Sequence, residues 1–570
     1  MKGKIDRNVL AWLYRTSGRE KQNIVLLIVV QAFFGTSTVL FAWLLRGGID
    51  SAVEGNKEGF LSYALAMVLL VLLELAMGAV RRFLDEYTKS GLENRFKTQL
   101  LEQLLTRDYA QVMSVHSAEW MNRLTSDVVV VAEGLTIILP DVIGLSVKLV
   151  SAVTALIILV PKLGYLIIPG GIFLLIFSTM SRNILKKMHV KIQEADGRLR
   201  VFMSERISSL LIVRTFARER QILEEAEEKM WNHRKARMNR NHYSNFCNVG
   251  FLVVMKAVYI ICVLFCGYGI LRGSISYGSF TAVLQLVGQV QSPFASLTSY
   301  LPKFYALLAS AERLLEAEEF EQVVQEEMFS IEQIRDFYEN GFQALYLKNV
   351  NFTYMPPVSG DGQAQTGMPV VLQNLYVKIY KGECVALTGP SGSGKSTVLK
   401  LLMGLYKPDS GKRCLMFSEK EIPLDFHYTR LFSYVPQGNH LMSGTIREVV
   451  VFSDKEKMED EEGIWRSLEL ACALEFVKEL SEGLDTRLGE RGTGLSEGQM
   501  QIYTDNPILI LDEATSALDE ATERRLVSNL RQLTDKTVLL VTHRPEMMKL
   551  CTREITLGNN QMEEVENEFR

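Results

Sequence analysis

Long uncharged apolar runs crowd the first half of this 570-residue chain and are absent from the second. A helix needs about 20 apolar residues to cross the hydrocarbon core of a bilayer. Ile24–Leu45 meets that length with no formal charge, and Phe60–Val80 meets it with the single carboxylate Glu74 near its end. Val142–Val160 and Leu163–Ser181 are separated only by Pro161 and Lys162, the pattern of a tight hairpin, and Val249–Leu271 is a fifth run. A sixth, Gly278–Pro302, is weaker, because Gln285, Gln289, Gln291 and several serines interrupt it. Six spans are therefore expected, near 24–45, 60–80, 142–160, 163–181, 249–271 and 278–302. Lys148 and Lys256 lie inside two of them. They read as snorkelling or cavity-edge cations, with an acidic substrate as the sharper alternative.

Basic residues set the orientation. Lys2, Lys4, Arg7, Arg15, Arg19 and Lys21 precede the first span, and 182–247 is rich in Lys and Arg. Both then face the cytosol. The two inside connections, 81–141 and 182–247, have helical spacing, no loop signals and only one proline between them, Pro140. They read as membrane helices continuing tens of ångströms into the cytosol at ~1.5 Å per residue. The formal charge of −4 gives no reason to expect a nucleic-acid partner. The seven cysteines have no zinc spacing.

After Pro302 the chain becomes charged and amphipathic, then reads as a linker over 326–340. From Phe342 onward β-branched runs alternate with helical stretches, which argues α/β. Glu383–Thr388 reads as a buried strand. It runs into Gly389-Pro390-Ser391-Gly392-Ser393-Gly394-Lys395-Ser396-Thr397 and then a helical segment. This is the phosphate-binding loop in the strand–loop–helix context it requires. Its glycines let backbone N–H groups turn onto phosphate oxygens, Lys395 adds a point charge, and the Ser396 hydroxyl suits Mg²⁺. Ile508–Asp512 is an aliphatic strand ending in Asp512 and Glu513. Asp512 at such a tip can hold Mg²⁺ through water, and Glu513 can take a proton from the attacking water. Ser496 and Gln499 have the spacing of a capping box.

The order of motifs resembles the ATPase of ABC transporters: the loop at Gly389–Ser396, the signature Leu495-Ser496-Glu497-Gly498-Gln499, the acidic strand, Glu513-Ala514-Thr515-Ser516-Ala517-Leu518-Asp519, then Val541-Thr542-His543. The six-span block before it is similar to exporter-type half-transporters, a group that includes lipid flippases and multidrug pumps. The resemblance implies an all-α six-helix transmembrane domain over 1–325 with long cytosolic extensions, and an α/β P-loop ATPase domain over 341–570. It implies that Tyr354 stacks on adenine and that Gln437 senses Mg²⁺. Glu490 would belong to the acidic loop before the signature, Asp519 to the D-loop, and His543 would sit near the γ-phosphate. Ser496 and Gly498 would contact ATP held by a partner's loop, so the resemblance implies a homodimer or heterodimer. Segments around Val112–Asp127 and Glu205–Glu219 look like the coupling helices of the family. ATP and Mg²⁺ are the implied cofactors, the bilayer and a small-molecule or lipid substrate the implied partners. The expected location is the cell membrane, a bacterial inner membrane, with the ATPase domain cytoplasmic. A poorly hydrolysing regulatory or channel-like subunit, and an importer on the same scaffold, are the competing readings.

One departure from the family pattern matters. Gln501 is followed directly by Ile502-Tyr503-Thr504-Asp505-Asn506-Pro507. About seven residues are missing by comparison, worth ~10 Å of helix. A deletion in the gene, an omitted stretch or an assembly error would each leave this gap, and the mass of Leu495–Asp512 separates them. In a chain with a true deletion, the signature helix is too short to reach a dimer interface while the acidic strand stays in its sheet. The expected outcome is then weak or absent ATP hydrolysis. Turnover typical of the family in the 570-residue protein would defeat that expectation.

Overall fold

A computed structural model describes residues 7–323, 328–354, 370–437, 444–452, 455–488, 506–515, 518–558 and 562–566. The chain divides into two compact units. One is Met1–Gln99 with Asn122–Leu315; the other is Leu100–Met121 with Glu316–Arg570.

The first unit is helical. Among the described residues, four stretches are long and apolar enough to cross a membrane: Glu20–Val53, Lys57–Thr106, Ser117–Leu159 and Glu219–Leu271. The expected fourth and sixth spans fall within the helices Gly164–Ser208 and Tyr277–Glu319. Val160, ahead of Pro161, leaves the helical region at φ −142°, ψ 85°, as a residue before proline is biased to do. A single short turn, Pro161–Leu163, then leads into Gly164. The helix Glu219–Leu271 has 53 residues. That is roughly 80 Å, far more than a bilayer requires.

Small residues allow the closest helix approach. A Cβ on Gly35 would lie 2.7 Å from the Gly144 carbonyl, and one on Gly144 would lie 2.3 Å from Gln31 Cγ. Such contacts replace the hydrophobic drive that lipid removes. Farther along, polar side chains tie the helices. Arg81 donates to Asp141 at 2.8 Å, Lys89 to Glu133 at 2.7 Å, and the Tyr300 hydroxyl to Asp141 at 2.6 Å. Asp127, only 3% exposed, accepts from Ser310 at 2.8 Å and from two nitrogens of Arg313.

The second unit holds two principal sheets. β1 (Phe342–Thr353), β2 (Val370–Tyr380), β4 (Ser410–Phe417) and β5 (Lys420–Pro423) form an antiparallel sheet in the order β2-β1-β4-β5. β3 (Cys384–Thr388), β6 (Phe432–Val435), β9 (Ile508–Asp512), β10 (Thr537–Val541), β11 (Arg553–Leu557) and β12 (Met562–Glu566) form the other, in the order β12-β11-β3-β10-β9-β6. Its strands run parallel except β12. The two-residue strands β7 (Gly444–Thr445) and β8 (Arg487–Leu488) pair separately. The aliphatic β9 and β10 are buried along their whole length. Ile508, Ile510 and Leu539 pack toward the antiparallel sheet, while Leu509, Leu511 and Leu540 pack against Leu526 and Leu530 of the helix Glu520–Leu530. Cover on both faces is what an uninterrupted aliphatic strand requires.

The stretch expected as a linker, 326–340, carries a helix at Ile331–Asn340. Ser330 and Gln333 close a capping box at its start, and Ile334 and Tyr338 are buried. The Tyr338 hydroxyl meets Thr537 Oγ1 at 2.7 Å, so the helix is seated on the ATPase sheet. Residues 100–121, expected within the 1–325 domain, cluster with the second unit.

Replacing Asp127 with Ala strips a buried acceptor from Ser310 and Arg313. Thermal unfolding in detergent should show a loss of about 1–2 kcal/mol, the usual result of orphaning a buried hydrogen-bond donor such as Ser310 while half-exposed Arg313 keeps access to solvent. Unchanged stability would mean that this contact contributes nothing to the helical unit.

Candidate nucleotide site

Parallel strands in one sheet end at the same edge, about 4.8 Å apart. The order β3-β10-β9-β6 therefore lines up whatever follows each strand. After β3 comes the loop Gly389–Gly394, after β10 comes His543, after β9 comes Glu513 and after β6 comes Gln437. Chemistry scattered over more than 150 residues of sequence becomes one row.

The loop is built for glycine. Gly389, Gly392 and Gly394 have φ of +136°, +83° and +95°. A Cβ on Gly389 would also lie 2.4 Å from the Leu557 carbonyl at the end of β11. Lys395 is buried at the first position of the helix Lys395–Leu402, and its ammonium donates to the Gly389 and Pro390 carbonyls at 2.8 and 2.9 Å. Ser393 Oγ is buried with no hydrogen-bond partner. An orphaned hydroxyl, a buried ammonium and a collar of glycine N–H groups fit a phosphate group.

Asp512 is 2% exposed. Burial holds its carboxyl above the ordinary carboxylate range, against hydrogen bonds from Ser396 and Tyr434 that pull it down. The Tyr434 hydroxyl lies 3.3 Å from Asp512 Oδ2. Burial and then the Asp512 charge push the Tyr434 phenol far up, so it remains a donor. A hydroxyl and a carboxylate oxygen are hard ligands suited to Mg²⁺. Glu513 adopts φ +50°, unusual for a side chain of its size. Its N–H donates to the Val541 carbonyl at 2.9 Å. The Gln437 amide donates to Glu513 Oε2 at 2.5 Å, and His543 Nε2 lies 4.0 Å from Glu513 Oε1. The three expected catalytic side chains are therefore neighbours.

Tyr354 stands beside the same loop, its hydroxyl 2.7 Å from Thr397 Oγ1. Its ring meets Tyr406 and Phe352 edge-on. Asp519 caps the helix Glu520–Leu530, accepting from the Ala521 and Thr522 N–H groups at 3.0 and 2.9 Å. Glu490, Ser496, Gly498, Gln499 and the shortened stretch to Asp505 lie outside the described residues, as do Ser516 and Ala517.

Sequence reading missed three residues that brace the site. Tyr434 reaches Asp512 from β6. Arg544 donates to the buried carboxylate of Glu523 at 3.0 Å and to the Leu518 carbonyl at 2.9 Å, tying the segment after His543 to the one after Glu513. Adjacency of Arg544 to His543 was the available signal; nothing local marked Tyr434 or Glu523.

Residues 24–294 match the family described as ABC transporter transmembrane region, and 372–522 match the family described as ABC transporter. The chain belongs to the ABC transporters. ABC transporter B family member 1 of Dictyostelium discoideum is 26% identical over 560 residues, 96% of this chain and 59% of that protein's length. The ATP-dependent lipid A-core flippase of Haemophilus influenzae is 24% identical over 539 residues, covering 92% of this chain and 88% of the flippase. The solved structure of a bacterial Atm1-family ABC exporter with ATP bound shares the fold, with a TM-score of 0.76 at 18% identity over 95% of this chain and 94% of that one. This ABC transporter is thus a membrane protein carrying a nucleotide-binding transport ATPase, in an architecture whose half-size members work as dimers.

Asp512 gives a signed prediction. A carboxyl raised by folding favours its neutral form in the native state. Stability then falls as pH rises from the unfolded value toward the folded one, because the native state holds the proton more tightly. Asp512→Asn should raise the thermal midpoint at pH 7 without nucleotide and weaken Mg-nucleotide binding at least tenfold (~1.4 kcal/mol). Unfolding scans and nucleotide titration measure the two effects, and a variant that is less stable without nucleotide would contradict the sign.

Proposed function

We propose that this ABC transporter is an ATP-driven exporter of a small amphipathic or lipid-like substrate, working as a dimer in a bacterial inner membrane. The adjacency of Gln437, Glu513 and His543 at the strand tips, beside the Lys395 loop, carries the reading. Relatives named as a lipid flippase and as leukotoxin translocation proteins support export as its direction.

In this reading Gly389–Gly394 and Lys395 hold the phosphates of ATP while Tyr354 and Tyr406 flank the base. Mg²⁺, held by Ser396, Gln437 and Asp512, supplies positive charge that offsets the charge of the outer phosphates. Glu513 accepts a proton from the attacking water, and the Gln437 amide fixes the carboxylate that must accept it. His543 steadies the same group from the β10 side. Ser496, Gly498 and Gln499 of a second chain complete each site, and Asp519 helps line the dimer seam.

The two coupling segments take different roles. In the second unit, Tyr109 of the helix Tyr109–Met113 meets the Tyr406 ring at 5.8 Å, next to Tyr354, and Asp108 N–H donates to the Glu321 carbonyl at 2.9 Å. This segment belongs to the chain's own ATPase. The short helix Leu210–Thr215 instead exposes Leu211 and Phe216 at 81% and 71%. Leu210 and Ile212 are exposed beside them; an exposed run of large apolar side chains calls for a cover, and the ATPase unit of a second chain is the proposed one.

Glu513→Gln in liposomes should abolish ATP turnover, at least 100-fold, while leaving nucleotide binding intact. Unchanged turnover in that variant would remove Glu513 from its role, and turnover with no vectorial movement of any lipid or amphipath would remove the exporter reading.

A further inference from the structure

β3 feeds the phosphate loop from one end, and at its other end two thiols touch. Cys384 opens the strand and Cys551 sits just before β11, with their Sγ atoms 3.4 Å apart. The backbone holds them there. β11 pairs with β3 in the register Val385 to Arg553, and Thr552 donates to the Cys384 carbonyl through both its N–H, at 2.9 Å, and its hydroxyl, at 3.1 Å. Cys551 lies one residue before the position opposite Cys384; strand spacing and rise put the two about 5.8 Å apart, inside the Cα separation that a disulfide spans. Closing from contact to an S–S bond of about 2.05 Å moves the two sulfurs together by about 1.3 Å.

We propose that Cys384 and Cys551 are an oxidisable dithiol, a redox-responsive staple between the strand that carries the phosphate loop and its neighbour β11. Cys384 is half-buried and open to a small oxidant, whereas Cys551 is buried. The thiolate of Cys384 attacks one sulfur of a glutathione disulfide. A bond forms between Cys384 and that sulfur, and one glutathione leaves with the proton Cys384 gave up. Cys551 then loses its proton, attacks Cys384 Sγ and expels the second glutathione. Two protein thiols lose two electrons, and one glutathione disulfide becomes two thiols. Contact with Cys384, together with burial, holds the Cys551 thiol far above its ordinary value. Once Cys384 is capped, the larger of those two causes is gone, which orders the steps. The staple sits roughly 16 Å along the strand from Gly389, so it stiffens the sheet without covering the phosphate loop.

The test uses the full chain purified in detergent. Oxidised glutathione, alkylation of remaining thiols and peptide mass spectrometry should recover a cross-linked pair containing residues 384 and 551, two hydrogens lighter than the free peptides and released by dithiothreitol. The thermal midpoint of the oxidised protein should rise by roughly 5 °C, with nucleotide binding within twofold of the reduced form. Cys384→Ser and Cys551→Ser should each abolish the cross-link and the shift. Recovery of both cysteines alkylated, of glutathione retained on Cys384 with Cys551 alkylated, or of disulfides to other cysteines would overturn the proposal. Nucleotide binding and turnover are read separately, so failure here leaves the transport reading standing.

Discussion

The row of phosphate loop, Gln437, Glu513 and His543 depends on one constraint: parallel strands end together. β3, β10, β9 and β6 are hydrogen-bonded neighbours. Residues 389–395, 437, 513 and 543 therefore share an edge, whatever their separation in sequence. The strands stay parallel because both faces are covered, by the antiparallel sheet on one side and the helix Glu520–Leu530 on the other. Exposing either face would misplace Gln437 relative to Glu513 well before it reached the phosphate loop, since Gln437 rides on the edge strand β6.

The membrane unit obeys a different rule. Hydrocarbon offers nothing to an unpaired N–H or C=O, so long apolar runs like these satisfy their own backbone as helices. That rule ends at the headgroups, yet the helices continue. Lys89–Glu133 and Asp127 with Ser310 and Arg313 pin them with paired polar groups, alongside buried apolar side chains such as Leu92, Val128, Val131 and Ala311. A bundle of long helices pinned at such points bends as a whole and carries a displacement along its length. A loop of equal length would dissipate it.

What the sequence disclosed follows the range of each interaction. The phosphate loop is local: strand, glycines, lysine and helix lie within twenty residues, so their chemistry could be read directly. Glu513 could be named from its strand, but not its left-handed backbone, which Val541 helps to impose from the neighbouring strand. Tyr434 and Glu523 were illegible because their roles exist only once β6 meets β9 and Arg544 folds back. The helix Ile331–Asn340 reads as a linker in sequence because its four charges conceal a narrow apolar stripe at Ile334, Phe337 and Tyr338. The sixth span is weak by hydropathy in part because of Gln289, which makes a helix contact, donating to the Thr38 carbonyl at 2.7 Å. Polar residues in a membrane helix lower the apolar signal while serving the packing.

The site is also costly to hold empty. Asp512 is held by burial above its ordinary range, Ser393 has an unsatisfied hydroxyl, and Glu513 occupies a backbone region that disfavours large side chains. Each is unfavourable in the isolated fold, by roughly 1–3 kcal/mol for a strained backbone residue alone. A ligand that brings both phosphate and a divalent cation offsets the first two, so binding and local stability are linked. The Tyr354–Tyr406–Tyr109 contacts extend that link to the segment 100–121. A domain stabilised by its ligand at the same edge that touches a coupling segment can favour one arrangement of that segment over another. That differential is the thermodynamic requirement for nucleotide to drive movement at a distance.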